Sequence, residues 1–209
     1  MILTMKHPKT RARNIGLSRP TLTILAVAAL LAALALILHT MGRIPFCTCG
    51  LHLWTADPWS SASSQNFADP YSSSHMLHGM IFYGFLLFIG SFLSRRGVTW
   101  LTLRIRFFLA IIIEMAWEIL ENSPLIIERY RSATASLGYT GDSILNSTGD
   151  VLFMMLGFWI ALRLPWKWTL ALGIAVELVM LWLYRDNLTL NVLMLVAPIN
   201  AIKSWQMGG

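Results

Sequence analysis

Five long apolar stretches constrain this chain more than any other feature of its sequence. They cover residues 21–38, 75–93, 107–127, 143–164 and 166–184. Each is close to the ~20 residues that an α-helix needs to cross the hydrocarbon core of a bilayer. Only 12% of the residues are charged, which is about half the usual share of a soluble domain. The sequence therefore predicts an all-α, polytopic transmembrane helix bundle with about five spans.

A sixth apolar stretch, residues 187–202, is shorter and contains Pro198. Proline removes a backbone donor, so a short stretch that contains it is not expected to cross the membrane as one helix. We expect a short C-terminal helix that lies at the membrane interface or re-enters the bundle.

The distribution of basic residues predicts the orientation. With the N-terminus inside, the inner segments hold eleven of the 16 Lys and Arg residues and the outer segments hold five, as the positive-inside rule requires. We expect a basic cytoplasmic leader over residues 1–20, followed by one bundle over residues 21–209 in a bacterial inner membrane. The net charge of +6 is scattered over the flanking segments, which predicts no nucleic-acid binding.

The largest predicted external loop, residues 40–74, contains both cysteines, Cys47 and Cys49. The outer compartment is oxidising, and a pair separated by one residue closes only a tight ring. Free thiols, a labile disulfide and a contact of this pair to His52 all remain open.

Polar side chains inside the predicted spans are the strongest indication of a functional site, because each costs at least ~2.5 kcal/mol to place in lipid. Within each span they lie on one helix face. All three faces reach the outer half of the bilayer, so the helices are expected to bury them against one another and form an outward-facing pocket. Span by span, these residues are His75 and His78; Glu114, Glu118 and Glu121; and Asp142, Asn146 and Asp150.

Two kinds of chemistry fit this pocket. Crowded carboxylates exchange protons, which predicts catalytic roles for Glu118, Glu121 and Asp142. Imidazole and carboxylate groups also bind divalent metals such as zinc, which predicts a metal site formed by His75, His78 and Asp150. The remaining predicted pocket residues are Glu114, Asn122, Asn146, Arg185 and Asn187, the last two as a lid in which Arg185 compensates the negative charge.

Several runs in the sequence resemble a known bacterial family. SHMLHGMIFYGFL, EMAWEILENSPLIIERYR, GDSILNSTGD, RDNLTLNVLML and IKSWQ are similar to those of uncharacterised protein family 0314, a group of small multi-pass membrane proteins. The resemblance covers nearly the whole chain after the basic leader and implies a multi-pass protein of the bacterial cell membrane. It implies no particular activity.

A shorter pattern is similar to VanZ-like proteins, a family associated with glycopeptide tolerance. The matching positions are His78, Glu118 or Glu121, Asp142 and Asn146. This resemblance implies a role at the cell envelope and names no substrate.

Three functions are compatible with these observations. The first is a hydrolase or transferase that acts on a lipid or lipid-linked envelope substrate. The second is a binding or transport module in which the acids relay protons. The third is a structural or accessory membrane protein, in which the polar residues only fix the helix register.

Overall fold

Eight α-helices form the part of the chain that the computed structural model describes, residues 20–208, and this part contains no strand. The predicted all-α fold is therefore confirmed. The predicted leader, residues 1–20, lies outside the described residues except for its last position. In chain order the helices are α1 (Pro20–Thr40), α2 (Ser72–Ser94), α3 (Leu103–Glu121), α4 (Pro124–Ala133), α5 (Ile144–Arg163), α6 (Trp166–Tyr184), α7 (Leu188–Val196) and α8 (Asn200–Gln206).

Within residues 20–208, four helices are long and apolar enough to cross a membrane, namely α1, α2, α5 and α6. They coincide with four of the five predicted spans, so the prediction of a polytopic helix bundle holds. Helix α3 carries five charged residues and is not one of the four. It packs against α1, α2 and α5, so the apolar helices surround a charged one.

The third predicted span, residues 107–127, is broken in the structure. Helix α3 ends at Glu121, and α4 begins at Pro124 after a turn in which the Ser123 side chain accepts a hydrogen bond from the amide of Ile126. A proline starts a helix readily but does not continue one, because it has no N–H to donate. The predicted span therefore ends about two turns early, and α4 follows as a separate short helix.

Helices α2 and α5 pack directly against each other through glycines. A methyl group on Gly79 would overlap the carbonyl oxygen of Met154, and one on Gly157 would overlap that of Met76. Small residues at such contacts allow two helix backbones to approach closely. This contact fixes the position of the start of α2 relative to the start of α5, where the predicted site residues lie.

The apolar core lies beside these glycines and joins four helices. It excludes water from the inner side of α3, which carries the predicted glutamates. Its buried members are Leu34, Leu38, Leu86, Ala110, Ile111, Met115, Val151, Met154 and Phe158.

The loop between α1 and α2 folds over the N-terminal end of α5. The amide of Ile144 donates to the carbonyl of Ile44, and the amide of Leu145 donates to that of Pro45. These bonds satisfy amides that the first turn of a helix leaves without a partner. Of the alternatives left open for the loop cysteines, the structure shows a disulfide between Cys47 and Cys49.

The predicted C-terminal helix consists of two helices. Helix α7 ends at Val196 and α8 begins at Asn200, with Pro198 between them. Helix α7 packs against α4, so the segment folds back onto the bundle.

Candidate functional site

Two helices bring together a histidine–carboxylate cluster, which we define as His75, His78, Glu114 and Glu118. Helix α2 supplies the histidines one turn apart, and α3 supplies the glutamates one turn apart. His75 Nδ1 lies 2.5 Å from a Glu114 oxygen, and His78 Nδ1 lies 3.1 Å from both Glu114 oxygens. Glu114 is fully buried, so its carboxylate is stabilised by two imidazoles and is shielded from water.

Glu118 is the exceptional member of the cluster. Its side chain is fully buried, and neither carboxylate oxygen has a hydrogen-bond partner. The nearest recorded charged group is His75, whose Nδ1 lies 3.3 Å away. A buried carboxylate without hydrogen bonds costs several kcal/mol unless it is neutralised. Glu118 is therefore a position where a proton or a cation is strongly favoured.

Asp150 approaches His75 from the other side. Its Oδ1 accepts a hydrogen bond of 2.8 Å from the Ser72 hydroxyl, and its Oδ2 lies 3.8 Å from His75 Nε2. The two ring nitrogens of His75 thus face carboxylates on two different helices, α3 and α5. A carboxylate at one nitrogen fixes the orientation and tautomer of an imidazole.

Metal-ligating atoms lie close together in this cluster. The ligand atoms of His75, His78 and Glu114 all lie within 4.8 Å of one another, as do those of His75, Glu118 and Glu121. The sequence predicted Asp150 as the third ligand. In the structure the carboxylate close to both histidines is that of Glu114, because both imidazole Nδ1 atoms face α3, while Asp150 lies near His75 Nε2.

A cavity of about 420 Å³ opens beside the cluster. Its wall has a polar part and an apolar part, and this combination suits an amphipathic ligand. Glu114 and Glu118 are not on the wall and lie behind the histidines. The polar lining includes Tyr71, His75, His78, Glu121, Tyr130, Tyr139, Asp142, Asn146 and Asp150, and the apolar lining includes Phe82, Ile113, Trp117, Leu120, Leu188, Val192 and Leu195.

Asp142 belongs to a second polar region, the Asp142 junction, which we define as Asn122, Tyr139, Asp142 and Ser147. The Asn122 side chain donates to Asp142 Oδ2 at 2.9 Å and accepts from the amide of Asp142 at 2.7 Å. The Tyr139 hydroxyl donates to Asp142 Oδ1 at 2.9 Å. Burial raises the pKa of Asp142, and these hydrogen bonds lower it in part. Unlike Glu118, this carboxylate has a partner at both oxygens.

Asn146, on the first turn of α5 directly before Ser147, also lines the cavity. Its side-chain nitrogen donates to the backbone oxygen of Asn66, 2.9 Å away in the loop. This contact ties the loop to α5, so Asn146 combines a place on the wall with a structural role.

The predicted lid residues, Arg185 and Asn187, do not line the cavity. Arg185 is exposed and donates to the backbone oxygen of Trp205, and Asn187 caps α7 and donates to the backbone oxygen of Glu177. The prediction that they close the pocket is corrected, because Arg185 ends α6 in the left-handed conformation and points towards α8. The wall here is formed by α7, through Leu188, Asn191, Val192 and Leu195.

Sequence reasoning missed a network that holds α7 in place. Asp186 accepts hydrogen bonds from the Tyr71 hydroxyl at 3.1 Å, from Asn191 at 3.3 Å and from Gln206 at 3.0 Å. Burial raises the pKa of Asp186 to about 6. A signal was present, since Asp186 is an acid directly after an apolar span, but its partners come from distant parts of the sequence.

Comparison with known proteins identifies the family. A protein of Sphingopyxis alaskensis named UPF0314 protein is 55% identical over 186 residues, which cover 88% of this chain and 95% of the relative. The chain belongs to the UPF0314 family. A UPF0314 protein of Rhizobium meliloti is 50% identical over 191 residues, which cover 91% of this chain and 93% of the relative. The predicted family is thereby confirmed.

A family model described as "Protein of unknown function (DUF2585)" matches residues 38–208 of this UPF0314 protein. The match begins near the end of α1 and covers both the cluster and the junction. No solved structure matches the chain. These findings do not support the more distant VanZ-like resemblance.

Proposed function

We propose that this UPF0314 protein is a membrane enzyme, a hydrolase or transferase that acts on a lipid or lipid-linked substrate of the bacterial envelope. The observation that carries the proposal is the cavity, whose lining combines ionisable and apolar side chains inside a bundle of apolar helices. An amphipathic substrate can place its polar head against the ionisable side chains and its apolar chain against the apolar ones. The volume of about 420 Å³ suits a head group and the first part of a chain.

The polar head of the substrate is expected to lie against His75, His78 and Asp150, which face the cavity. Its chain is expected to lie against aromatic and aliphatic side chains such as Phe82 and Trp117. Glu121 lines the same cavity and is therefore accessible to such a substrate.

Glu121 is the proposed proton acceptor. Of the three glutamates on α3, it alone lines the cavity, and Tyr130 lines the same cavity. In the proposed reaction the oxygen of a water or alcohol bonds to the acyl or phosphoryl centre while Glu121 takes its proton. The leaving group departs with the electron pair of the broken bond and receives a proton. A positioned base of this kind contributes roughly 10²- to 10⁴-fold to a rate.

The location proposed for this activity is the bacterial inner membrane, with the N-terminus in the cytoplasm. The excess of basic residues in the predicted inner segments supports this orientation. The cavity lies at the start of α2 and α5, next to the loop that the same rule assigns to the outer side. The substrate is thus expected in the outer half of the bilayer.

Comparative lipid analysis of a deletion strain tests the proposal. One class of amphiphile should accumulate in the deletion strain and return to its normal level with the wild-type gene. Glu121→Gln should fail to restore it, whereas Glu128→Gln, a change to an exposed glutamate on α4, should succeed. Restoration by Glu121→Gln at normal protein levels, or an unchanged lipid profile after deletion, contradicts the proposal.

A second candidate, proton-coupled binding or transport of an amphiphile, is favoured by one observation. Glu114, His75 and Asp150 form a continuous row of ionisable groups across three helices. Such a row is suited to moving protons. Proteoliposomes with an internal pH dye distinguish the two, since transport moves protons when the amphiphile is added and hydrolysis changes the amphiphile itself.

A further inference from the structure

We infer that His75, His78 and Glu114 form a binding site for one divalent transition metal ion of the zinc class. The Nδ1 atoms of both histidines face the Glu114 carboxylate at 2.5 to 3.1 Å. Ligands bound to zinc at about 2.0 to 2.1 Å in a tetrahedron are about 3.3 Å apart. The two His–Glu114 contacts differ from that spacing by less than about 1 Å, so small side-chain shifts would accommodate the ion.

Glu118 provides independent support for a cation. It is fully buried, both of its oxygens lack a hydrogen-bond partner, and it lies 3.3 Å from His75 Nδ1. In the described part of the chain, the recorded ion pairs of the two cluster glutamates are with His75 and His78 alone. With neutral imidazoles the cluster carries two negative charges, which one divalent ion neutralises.

The donor set selects the kind of metal. Two imidazole nitrogens and a carboxylate suit zinc and its neighbours, whereas magnesium and calcium take oxygen ligands. His75 and His78 line the cavity and Glu114 lies behind them. Three protein ligands with one open side are typical of catalytic zinc sites. In that catalytic role the inference rests on the proposed function, but metal binding itself does not.

Metal analysis of the purified full-length protein in lipid nanodiscs tests the site directly. After incubation with zinc and removal of loosely bound ions, the wild type should retain about one ion per chain, as a single site predicts. His78→Ala and Glu114→Gln should weaken zinc affinity at least about tenfold. His52→Ala, a change to an exposed loop histidine, should have no effect. Failure of the wild type to retain zinc, or full retention by His78→Ala, overturns the inference.

X-ray absorption at the zinc edge provides a measurement that needs no variant to fold. The wild type should show scattering from two imidazoles, and a shell made of oxygen alone overturns the site. The outcomes also separate the two proposals. Zinc bound at these residues without any lipid change leaves the metal site standing and contradicts the enzyme. Lipid turnover by a wild-type protein that fails to retain zinc leaves the enzyme standing and overturns the metal site.

Discussion

The histidine–carboxylate cluster and the Asp142 junction are both buried, polar and close to the same cavity, yet they differ in how their polar atoms are paired. At the junction, both oxygens of Asp142 accept hydrogen bonds. In the cluster, both oxygens of Glu118 lack one. Buried polar groups are normally satisfied, and an exception calls for an explanation.

The difference separates two uses of the same residue types. A satisfied network holds helices in register, because breaking it leaves unpaired groups in a place without water. A network whose buried oxygens lack hydrogen-bond partners can still bind a proton, an ion or a substrate. We therefore assign the junction a structural role and the cluster a chemical one, although the sequence showed both as polar stripes on neighbouring helices.

The largest effect is expected where both regions depend on one contact. Gly157→Ala places a methyl group against the backbone carbonyl of Met76, which cannot move without separating α2 from α5. We expect no folded, monodisperse protein in gel filtration, and both regions should be lost together. The control is Gly84→Ala on α2, where a methyl group meets nothing. It should be neutral or stabilising by up to about 1 kcal/mol. Normal folding of Gly157→Ala would show that the two regions do not share this contact.

Asp142→Ala should lower the free energy of unfolding by about 3 to 6 kcal/mol, since two hydrogen bonds to a carboxylate are worth about 1.5 to 3 kcal/mol each. The Asn122 amide and the Tyr139 hydroxyl both lose their acceptor. Asp142→Asn keeps one acceptor oxygen and should cost less. Denaturant titration in detergent checks both variants. A stable Asp142→Ala protein would remove the structural role from the junction.

Asp186 tests an intermediate case, a buried carboxylate that is satisfied and still titrates in the physiological range. Its pKa of about 6, against a usual 3.8, means that the folded protein holds this proton more tightly than the unfolded chain. The free energy of unfolding should therefore fall by about 2 to 3 kcal/mol between pH 4 and pH 6.

Asp186→Asn should flatten that part of the pH profile, because the amide cannot ionise. Unfolding curves of both proteins at pH 4, 5, 6 and 7 provide the measurement. An identical slope in the two proteins would show that Asp186 is not the group responsible.

Glu118→Gln should have the smallest effect on stability and marks the contrast with Asp142. Removing a charge that has no hydrogen bond should change the free energy of unfolding by less than about 1 kcal/mol, or raise it. Denaturant titration in the same detergent allows direct comparison with Asp142→Ala. A loss as large as that of Asp142→Ala would mean that Glu118 is paired in the folded protein and that the contrast is not real.

The positions of the polar residues could be predicted because helix periodicity is local. The i, i+4 spacing of Glu114 and Glu118 placed them on one face, and burial of that face required partners on neighbouring helices. The same reasoning predicted His75 and Asp150 as pocket residues. The structure places His75 next to Glu114 and Asp150 next to His75. The family was also recognisable from the sequence runs alone.

The rest depended on contacts that are distant in the sequence. Nothing local distinguishes Glu114 from Asp150 as a partner of the histidines, because the choice is set by which imidazole nitrogen faces which helix. Arg185 was expected in the lid for its charge, but the turn it adopts directs it to Trp205. The break of the third predicted span was foreseeable, since Pro124 lies inside it.

The distinction between a chemical cluster and a structural junction is tested most directly in one deletion strain. The measurement is the activity per folded molecule, that is, the restoration of the normal lipid profile divided by the amount of folded protein. Glu118→Gln should accumulate as folded protein at the wild-type level and lose activity at least roughly tenfold, because its buried charge supports the cation proposed at the neighbouring histidines. Asn122→Ala should lose folded protein and keep its activity per folded molecule within about twofold, because a structural residue acts through the amount of folded protein. Full activity of Glu118→Gln, or inactive but fully folded Asn122→Ala, would contradict the assignment of chemistry to the cluster and structure to the junction.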